Sequence, residues 1–136
     1  MRFLIVEDDA ASRKVMKRLL KTHGQSDTVV NGKEAVEAFN IAMEDDEPYD
    51  MIFMDIMMPE MDGQLALKKI RESETKLNIK QVNEVPIIMT TALNSPKDIM
   101  HAYYRGGCSD YMVKPIDKKR LEEVMHEYLD KQHSEQ

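Results

Sequence analysis

Five short runs that are rich in apolar residues divide this sequence, and they constrain its fold more than any other feature. The runs lie at residues 3–6, 28–30, 51–54, 86–89 and 110–113. Short apolar runs bounded by polar residues are typical of strands that are buried on both faces of a parallel sheet. The sequence therefore predicts five such strands.

The segments that follow these runs carry apolar residues at helical spacing. After the first run, Val15, Met16, Leu19 and Leu20 return at intervals that place them on one face of a helix, with basic residues between them. Helices are predicted in this way around residues 11–22, 35–43, 65–74, 99–104 and 121–129. Strands that alternate with helices predict an α/β domain with a parallel sheet.

Length, charge and cysteine content limit the possible functions. A chain of 136 residues has the usual size of one domain, so we expect a single domain over residues 1–131 and a polar C-terminal tail at 132–136. The net charge of -6 argues against binding to nucleic acid or insertion into an anionic membrane. With one cysteine, Cys108, and only a short apolar stretch at the start, a cytoplasmic protein is predicted.

Polar side chains follow four of the predicted strands. Asp8 and Asp9 come after the first strand, Asp55 after the third, Thr91 at the end of the fourth and Lys114 after the fifth. Ligands of parallel α/β sheets bind at the carboxyl ends of the strands, so we expect these five side chains to share one edge.

The residue types at this edge indicate a particular chemistry. Three neighbouring carboxylates repel one another unless a cation or a shared proton relieves the repulsion, and oxygen ligands suit Mg²⁺. A bound cation of this kind would attract a phosphate donor and leave one carboxylate to attack phosphorus. Lys114 and Thr91 could then contact the phosphoryl oxygens as a cation and a hydrogen-bond donor.

Four motifs carry a resemblance to a known family. The segments IVEDD at 5–9, FMDIMMPEMDG at 53–63, IIMTTA at 87–92 and YMVKP at 111–115 resemble the receiver domains of two-component response regulators. The resemblance implies a flavodoxin-like (βα)5 fold, a doubly wound five-stranded parallel sheet in the order 2-1-3-4-5. It further implies a single-domain response regulator of phosphorelay signal transduction, either a chemotaxis-like regulator or a relay intermediate.

The resemblance also assigns roles to the residues at the sheet edge. Asp55 would be the phosphoacceptor that forms 4-aspartylphosphate, and Mg²⁺, with Mn²⁺ as an alternative, would bind Asp8, Asp9, Asp55 and the backbone carbonyl of Met57. The family's switch positions, a hydroxyl and an aromatic residue, match Thr91 and Tyr111, and its Lys-Pro peptide bond, here Lys114-Pro115, is usually cis. By this reading the protein is not an enzyme beyond its own phosphotransfer and slow dephosphorylation.

The expected partners are a sensor histidine kinase or a histidine phosphotransfer protein, and a downstream target protein. By the resemblance, the target binds the face formed by the helix after Pro96, the fifth strand and the last helix. The residues expected there are Ile99, Met100, Tyr103, Tyr104, Tyr111 and the exposed side of 118–128. Met57 and Leu93 are apolar where the family often has polar residues beside the hydrolytic water, which predicts slow loss of the phosphoryl group.

Three other interpretations compete with this one. Acids that precede a helix are commonly caps, so Asp8 and Asp9 could be structural. A receiver-like domain could bind a partner without being phosphorylated. A Mg²⁺-dependent phosphatase with an aspartyl nucleophile, of the haloacid-dehalogenase type, would need a second aspartate where this chain has Met57, which cannot act as a general acid.

Overall fold

A computed structural model describes residues 1–56, 58, 61–92 and 107–134, with side chains up to Asp130. Within these residues the strands are β1 (Arg2–Val6), β2 (Gln25–Val29), β3 (Met51–Asp55), β4 (Ile87–Thr91) and β5 (Asp110–Val113). The helices of the same residues are α1 (Ala10–Leu20), α2 (Gly32–Glu44), α3 (Gly63–Lys76) and α4 (Lys118–Ser134), with a short 3-10 helix at Gln81–Asn83. The helix predicted after Pro96 lies outside the described residues.

All five strands are parallel and lie in the order β2-β1-β3-β4-β5. This arrangement confirms the predicted flavodoxin-like fold, including the strand order that the family resemblance supplied. Pairing of Val6 with Met54, and of Asp55 with Thr90, brings the carboxyl ends of the central strands to one level. The polar residues that follow these strands therefore meet at one edge of the sheet.

The alternation of side chains along the strands divides the core into two layers. On one face, α1 and α4 pack against β1 and β3, and the buried side chains include Phe3, Ile5, Phe53, Leu20 and Leu121. On the other face, α2 and α3 cover the intervening strand residues, with buried side chains that include Leu4, Ile52, Phe39, Leu67 and Ile70. Helices on both faces of the sheet explain why the central strands are buried at nearly every position.

All four α-helices of the described residues begin at a side chain that accepts a hydrogen bond from the backbone of the first turn. Asp9 caps α1, Asn31 caps α2, Asp62 caps α3 and Asp117 caps α4. Such caps satisfy amide groups that have no partner within the helix. They fix the points at which the chain leaves the loops around the strand ends.

Three elements, β2, α3 and α4, extend beyond their predicted bounds in ways that a local pattern did not indicate. β2 begins at Gln25, three residues before the predicted strand. The prediction missed its first residues because β2 is an exposed edge strand, and its polar side chains give no apolar pattern. α3 continues to Lys76 because the next inward position after Ile70 is the buried Glu74. α4 runs to Ser134, so residues 132–134 of the predicted tail are helical.

Candidate functional site

Three carboxylates meet at the carboxyl edge of the sheet. Oxygen atoms of Glu7, Asp8 and Asp55 all lie within 4.8 Å of one another. Glu7 and Asp8 follow directly after β1, and Asp55 is the last residue of β3, so the adjacent parallel strands bring them together. Glu7 and Asp55 are buried and Asp8 is exposed, so the group opens to solvent on the side of Asp8.

Lys114 supplies a positive charge to this group. Its Nζ donates hydrogen bonds to Glu7 Oε1 and, at 3.3 Å, to Asp55 Oδ2. The lysine follows β5, and its backbone N–H donates to the Thr91 carbonyl at 2.7 Å. The Lys114-Pro115 peptide bond is cis, as the family resemblance implied. One ammonium group thus offsets part of the negative charge of two buried acids.

The electrostatic surroundings shift the pKa values of the Glu7 carboxyl and the Lys114 amine. Burial and the neighbouring Asp55 carboxyl raise the pKa of Glu7, although Lys114 opposes the shift. Burial alone would lower the pKa of Lys114, but its contacts with Glu7 and Asp55 outweigh burial and raise it. Lys114 therefore stays protonated at neutral pH, whereas burial and the Asp55 carboxyl disfavour the charged form of Glu7.

The donor set fits a small, hard cation. Glu7 Oε2 is buried and has no hydrogen-bond partner among the residues that the structure describes. A buried polar atom of this kind is rare in native proteins, and a bound water or ion is one way to satisfy it. Three carboxylates that supply only oxygen ligands are compatible with Mg²⁺, which binds through one or two carboxylates and retains waters.

The structure places Asp9 apart from this group. Its carboxylate accepts hydrogen bonds from the Ser12 backbone N–H at 2.9 Å and from the Ser12 hydroxyl at 2.7 Å, and these bonds lower its pKa. They are the contacts of a helix N-cap. Metal binding by Asp9 stays a prediction, as does the role of the Met57 carbonyl, which lies outside the described residues.

Sequence reasoning missed Glu7 as a member of the group. Glu7 is the first polar residue after the apolar run of β1, whereas Asp9 stands directly before α1. In a parallel sheet the residue nearest the strand end lies closest to the neighbouring strands, and the residue before a helix is the usual cap. Proximity to the strand was the signal that distinguished Glu7 from Asp9.

The two predicted switch residues lie on the neighbouring strands. Thr91 is buried at the end of β4, one residue beyond Thr90, the strand partner of Asp55. Tyr111 is half-buried on β5, where it pairs with Met89 of β4. Of the other predicted partner-surface residues, Ile99, Met100, Tyr103 and Tyr104 lie outside the described residues.

The N-terminus of α3 packs closely against the backbone of Asp55 and Ile56. The Gly63 N–H donates to the Ile56 carbonyl at 2.9 Å. A Cβ atom at Gly63 would lie 2.2 Å from the Asp55 carbonyl oxygen, far inside van der Waals contact. The absence of a side chain at Gly63 therefore allows α3 to approach the backbone that carries the Asp55 carboxylate.

A buried aspartate thus lies beside a lysine and two further acids at the carboxyl edge of a flavodoxin-like sheet. Residues 3–126 match the family described as the response regulator receiver domain. The chain belongs to this family and is a receiver domain of two-component signalling.

Individual relatives show the same relationship. The chain is 37% identical over 130 residues to hybrid signal transduction histidine kinase F of Dictyostelium discoideum, covering 95% of this chain and 11% of the kinase. A structure of the receiver domain of Ssk1 with the histidine phosphotransfer protein Ypd1, from Saccharomyces cerevisiae, has a TM-score of 0.81 and 29% identity. It covers 97% of this chain and 90% of that chain.

A third relative carries a metal. The receiver domain of a sensor histidine kinase from Pseudomonas aeruginosa PAO1, solved with a magnesium ion in its active-site cleft, has a TM-score of 0.74 and 28% identity. The match covers 95% of this chain and 97% of that chain. In the part of the chain that is described, no helix has the length and apolar character needed to cross a membrane.

Proposed function

We propose that this receiver domain accepts a phosphoryl group on Asp55 and thereby changes a surface that binds a partner protein. The observation that carries the proposal is the buried Asp55 carboxylate, which lies 3.3 Å from Lys114 Nζ and within 4.8 Å of the other two acids. A carboxylate held between a cation and a metal-binding pair of acids is suited to attack phosphorus.

Glu7, Asp8 and Asp55 are the residues that we propose hold Mg²⁺. When bound, the cation would neutralise charge on the donor phosphate and on the transferred group. The similarity to a receiver domain that holds magnesium supports this choice of metal. Asp9, the cap of α1, is the less suitable ligand because its carboxylate already accepts two hydrogen bonds from Ser12.

The proposed donor is the phosphohistidine of a histidine kinase or of a histidine phosphotransfer protein. An Asp55 carboxylate oxygen forms a bond to phosphorus, the bond from phosphorus to the histidine nitrogen breaks, and the imidazole leaves with the bonding electrons. The similarity to a receiver domain solved with a phosphotransfer protein supports this class of donor.

Lys114 and Thr91 would then bind the product. The aspartyl phosphate carries more negative charge than the carboxylate, so we expect Lys114 Nζ to move from the acids to a phosphoryl oxygen. The Thr91 hydroxyl at the end of β4 would donate to a second oxygen, and Tyr111 on the adjacent strand would respond to that movement. These steps connect Asp55 to the surface around β5.

The test is phosphorylation by a small donor. Incubation with acetyl phosphate and Mg²⁺ should add about 80 Da to the intact mass, the mass of a phosphoryl group. Asp55→Asn and EDTA should each abolish the gain, whereas Asp46→Asn, a change at an exposed acid beyond α2, should leave it intact. A protein that gains no mass would instead be a receiver-like module that binds its partner without phosphorylation.

The aspartyl phosphate is predicted to be long-lived. Met57 and Leu93 are apolar and cannot orient or activate the attacking water, so we expect a half-life of minutes or longer without a phosphatase. The decay of the phosphorylated mass after removal of the donor measures this lifetime. Met57→Asn and Leu93→Glu should shorten it, and a wild-type half-life of seconds would contradict the prediction.

The single-domain role and the cytoplasmic location stay predictions. The chain spans 11% of the Dictyostelium kinase and 7% of a second hybrid kinase from that organism, so similar segments occur within much longer proteins. Measuring transfer from a phosphorylated histidine phosphotransfer protein, and the return of the phosphoryl group to it, would distinguish a relay intermediate from a chemotaxis-like regulator.

A further inference from the structure

The guanidinium group of Arg13, on the first turns of α1, binds the backbone of the acidic residues that follow β1. Its Nη1 donates to the Glu7 carbonyl oxygen at 2.9 Å and to the Asp8 carbonyl oxygen at 3.0 Å. We propose that Arg13 is a positioning residue that holds the carboxylates of Glu7 and Asp8 in the geometry required for Mg²⁺. This inference rests on the proposed function, because it concerns the same metal site.

The loop after β1 needs such an anchor. Its two acids and Asp55 have oxygen atoms within 4.8 Å of one another, and their like charges push the loop away from the strand end. On one side, the Glu7 N–H donates to the Val29 carbonyl of β2 at 3.1 Å. Arg13 fastens the other side, since it joins the carbonyls of both acids to the body of α1.

Arg13 lies toward the N-terminal end of α1, which is the less favoured end for a cation. Cations stabilise the C-terminal end of a helix and destabilise its N-terminal end. Lys17 and Arg18 follow this rule and lie in the last turn of α1, whereas Arg13 lies only four residues after the cap Asp9. The guanidinium of Arg13 does not reach the C-terminal end of α1 and instead contacts the carbonyls of the two acids, so its contacts point to a role at the acidic group.

The charge and the contacts of Arg13 predict opposite effects on metal binding. A guanidinium near the acids repels Mg²⁺, so removal of its charge alone would tighten the binding of the cation. Loss of the two carbonyl contacts would free the loop and weaken binding, as happens when groups that orient metal ligands are removed. The sign of the change therefore distinguishes a positioning role from a general electrostatic one.

The experiment is a Mg²⁺ titration of the metal-free protein, followed by NMR chemical shifts of backbone amides. We expect Arg13→Ala to raise the dissociation constant about 10- to 100-fold. Arg13→Gln should recover part of the affinity, because its amide group can donate to a carbonyl without carrying charge. Lys14→Ala removes an exposed cation from the next position of the same helix and should leave the affinity unchanged or slightly tighter.

Thermal unfolding of each variant separates a loss of the fold from a loss of the site. If Arg13→Ala does not fold, Arg13→Gln carries the test: binding weaker than in the wild type supports the inference, and binding as tight as in the wild type or tighter overturns it. A folded Arg13→Ala that binds Mg²⁺ as tightly as the wild type, or more tightly, would overturn the inference and leave the proposed function standing. A wild-type protein that binds no Mg²⁺ would overturn both.

Discussion

At the scale of single residues, Glu7 shows that the site is not arranged for stability. The residue is 3% exposed, burial raises the pKa of its carboxyl, and Oε2 has no partner among the described residues. Glu7→Gln removes a buried charge, so we expect the metal-free protein to gain on the order of 1 kcal/mol in its free energy of unfolding. The same change removes a proposed ligand and should weaken Mg²⁺ binding by more than tenfold.

Urea unfolding in EDTA and Mg²⁺ titration measure these two effects of Glu7→Gln. Glu72→Gln is the matched control, because Glu72 is an exposed glutamate on α3 away from the acids. It should change neither the stability nor the affinity for the metal. A Glu7→Gln protein that is less stable than the wild type, or that keeps its full affinity, would contradict the interpretation.

Gly63 gives a second prediction at this scale. A Cβ atom there would lie 2.2 Å from the Asp55 carbonyl oxygen and 2.9 Å from the Ile56 Cα, and both are backbone atoms that cannot turn aside. We expect Gly63→Ala to lower the free energy of unfolding by about 1–3 kcal/mol and to slow phosphorylation of Asp55. Leu65→Ala, at an exposed position of the same helical turn, should do neither. Unaltered stability and phosphorylation in Gly63→Ala would refute the close-approach argument.

The sequence predicted those site residues that lie at the ends of recognisable strands. Asp55 ends β3 and Lys114 follows β5, so a parallel sheet brings both to one edge, and the strand order from the family resemblance places them near each other. Apolar periodicity does not separate Glu7 from Asp9, because three consecutive acids carry no period. The signals that separate them are distance from the strand end and adjacency to the helix, which favour Glu7 beside Asp55 and Asp9 as the cap of α1.

At the scale of the elements, Glu74 and Arg71 of α3 join three parts of the chain. Glu74 is 1% exposed, and its carboxylate accepts from the Val85 N–H and from Arg71 Nη1, both at 2.7 Å. Arg71 also donates to the carbonyls of Val85, at 2.9 Å, and of Gly107, at 3.0 Å. This network fixes the end of α3 to the residues that lead into β4 and β5.

The network predicts a pH dependence of stability. Burial raises the pKa of Glu74, although Arg71 and the Val85 N–H oppose the shift and Glu84 adds to it. A carboxyl group with a raised pKa in the folded state favours folding most below its unfolded pKa of about 4.3, and this contribution is lost as the pH rises through the folded value. The stability of the wild type relative to Glu74→Gln should therefore fall as the pH rises above about 4.

Urea unfolding of both proteins between pH 4 and 8 measures this difference. Glu72→Gln again serves as the control, and its stability relative to the wild type should be constant over the range. If the wild type instead gains stability relative to Glu74→Gln as the pH rises, the ion pair with Arg71 outweighs the burial of Glu74.

Glu74 also shows why the end of α3 could not be read from the sequence. Apolar periodicity identifies the inward positions up to Ile70, and the next inward residue is an acid, which the pattern treats as a boundary. The helix continues because two groups donate hydrogen bonds to that acid. One is Arg71 on the preceding turn, and the other is the N–H of Val85, which is distant in sequence. Tertiary partners, rather than local propensity, decide this part of the fold.

At the scale of the whole molecule, a domain of net charge -6 contains three neighbouring carboxylates, so metal binding should affect its global stability. A cation that binds only the folded state stabilises it by about 2.7 kcal/mol when its free concentration is 100 times the dissociation constant. For a chain of this length, that stabilisation corresponds to roughly 5–10 °C in the midpoint of thermal unfolding.

A general effect of salt must be separated from site binding, because any salt screens the repulsion within an acidic protein. NaCl at the same ionic strength should therefore raise the unfolding midpoint less than Mg²⁺ does. Asp55→Asn, which lacks one of the three proposed ligands, should lose most of the Mg²⁺ effect and keep the NaCl effect. If calorimetry shows equal shifts for both salts, or the same Mg²⁺ shift in Asp55→Asn, the cation acts on the surface charge as a whole and not on the acidic group at the sheet edge.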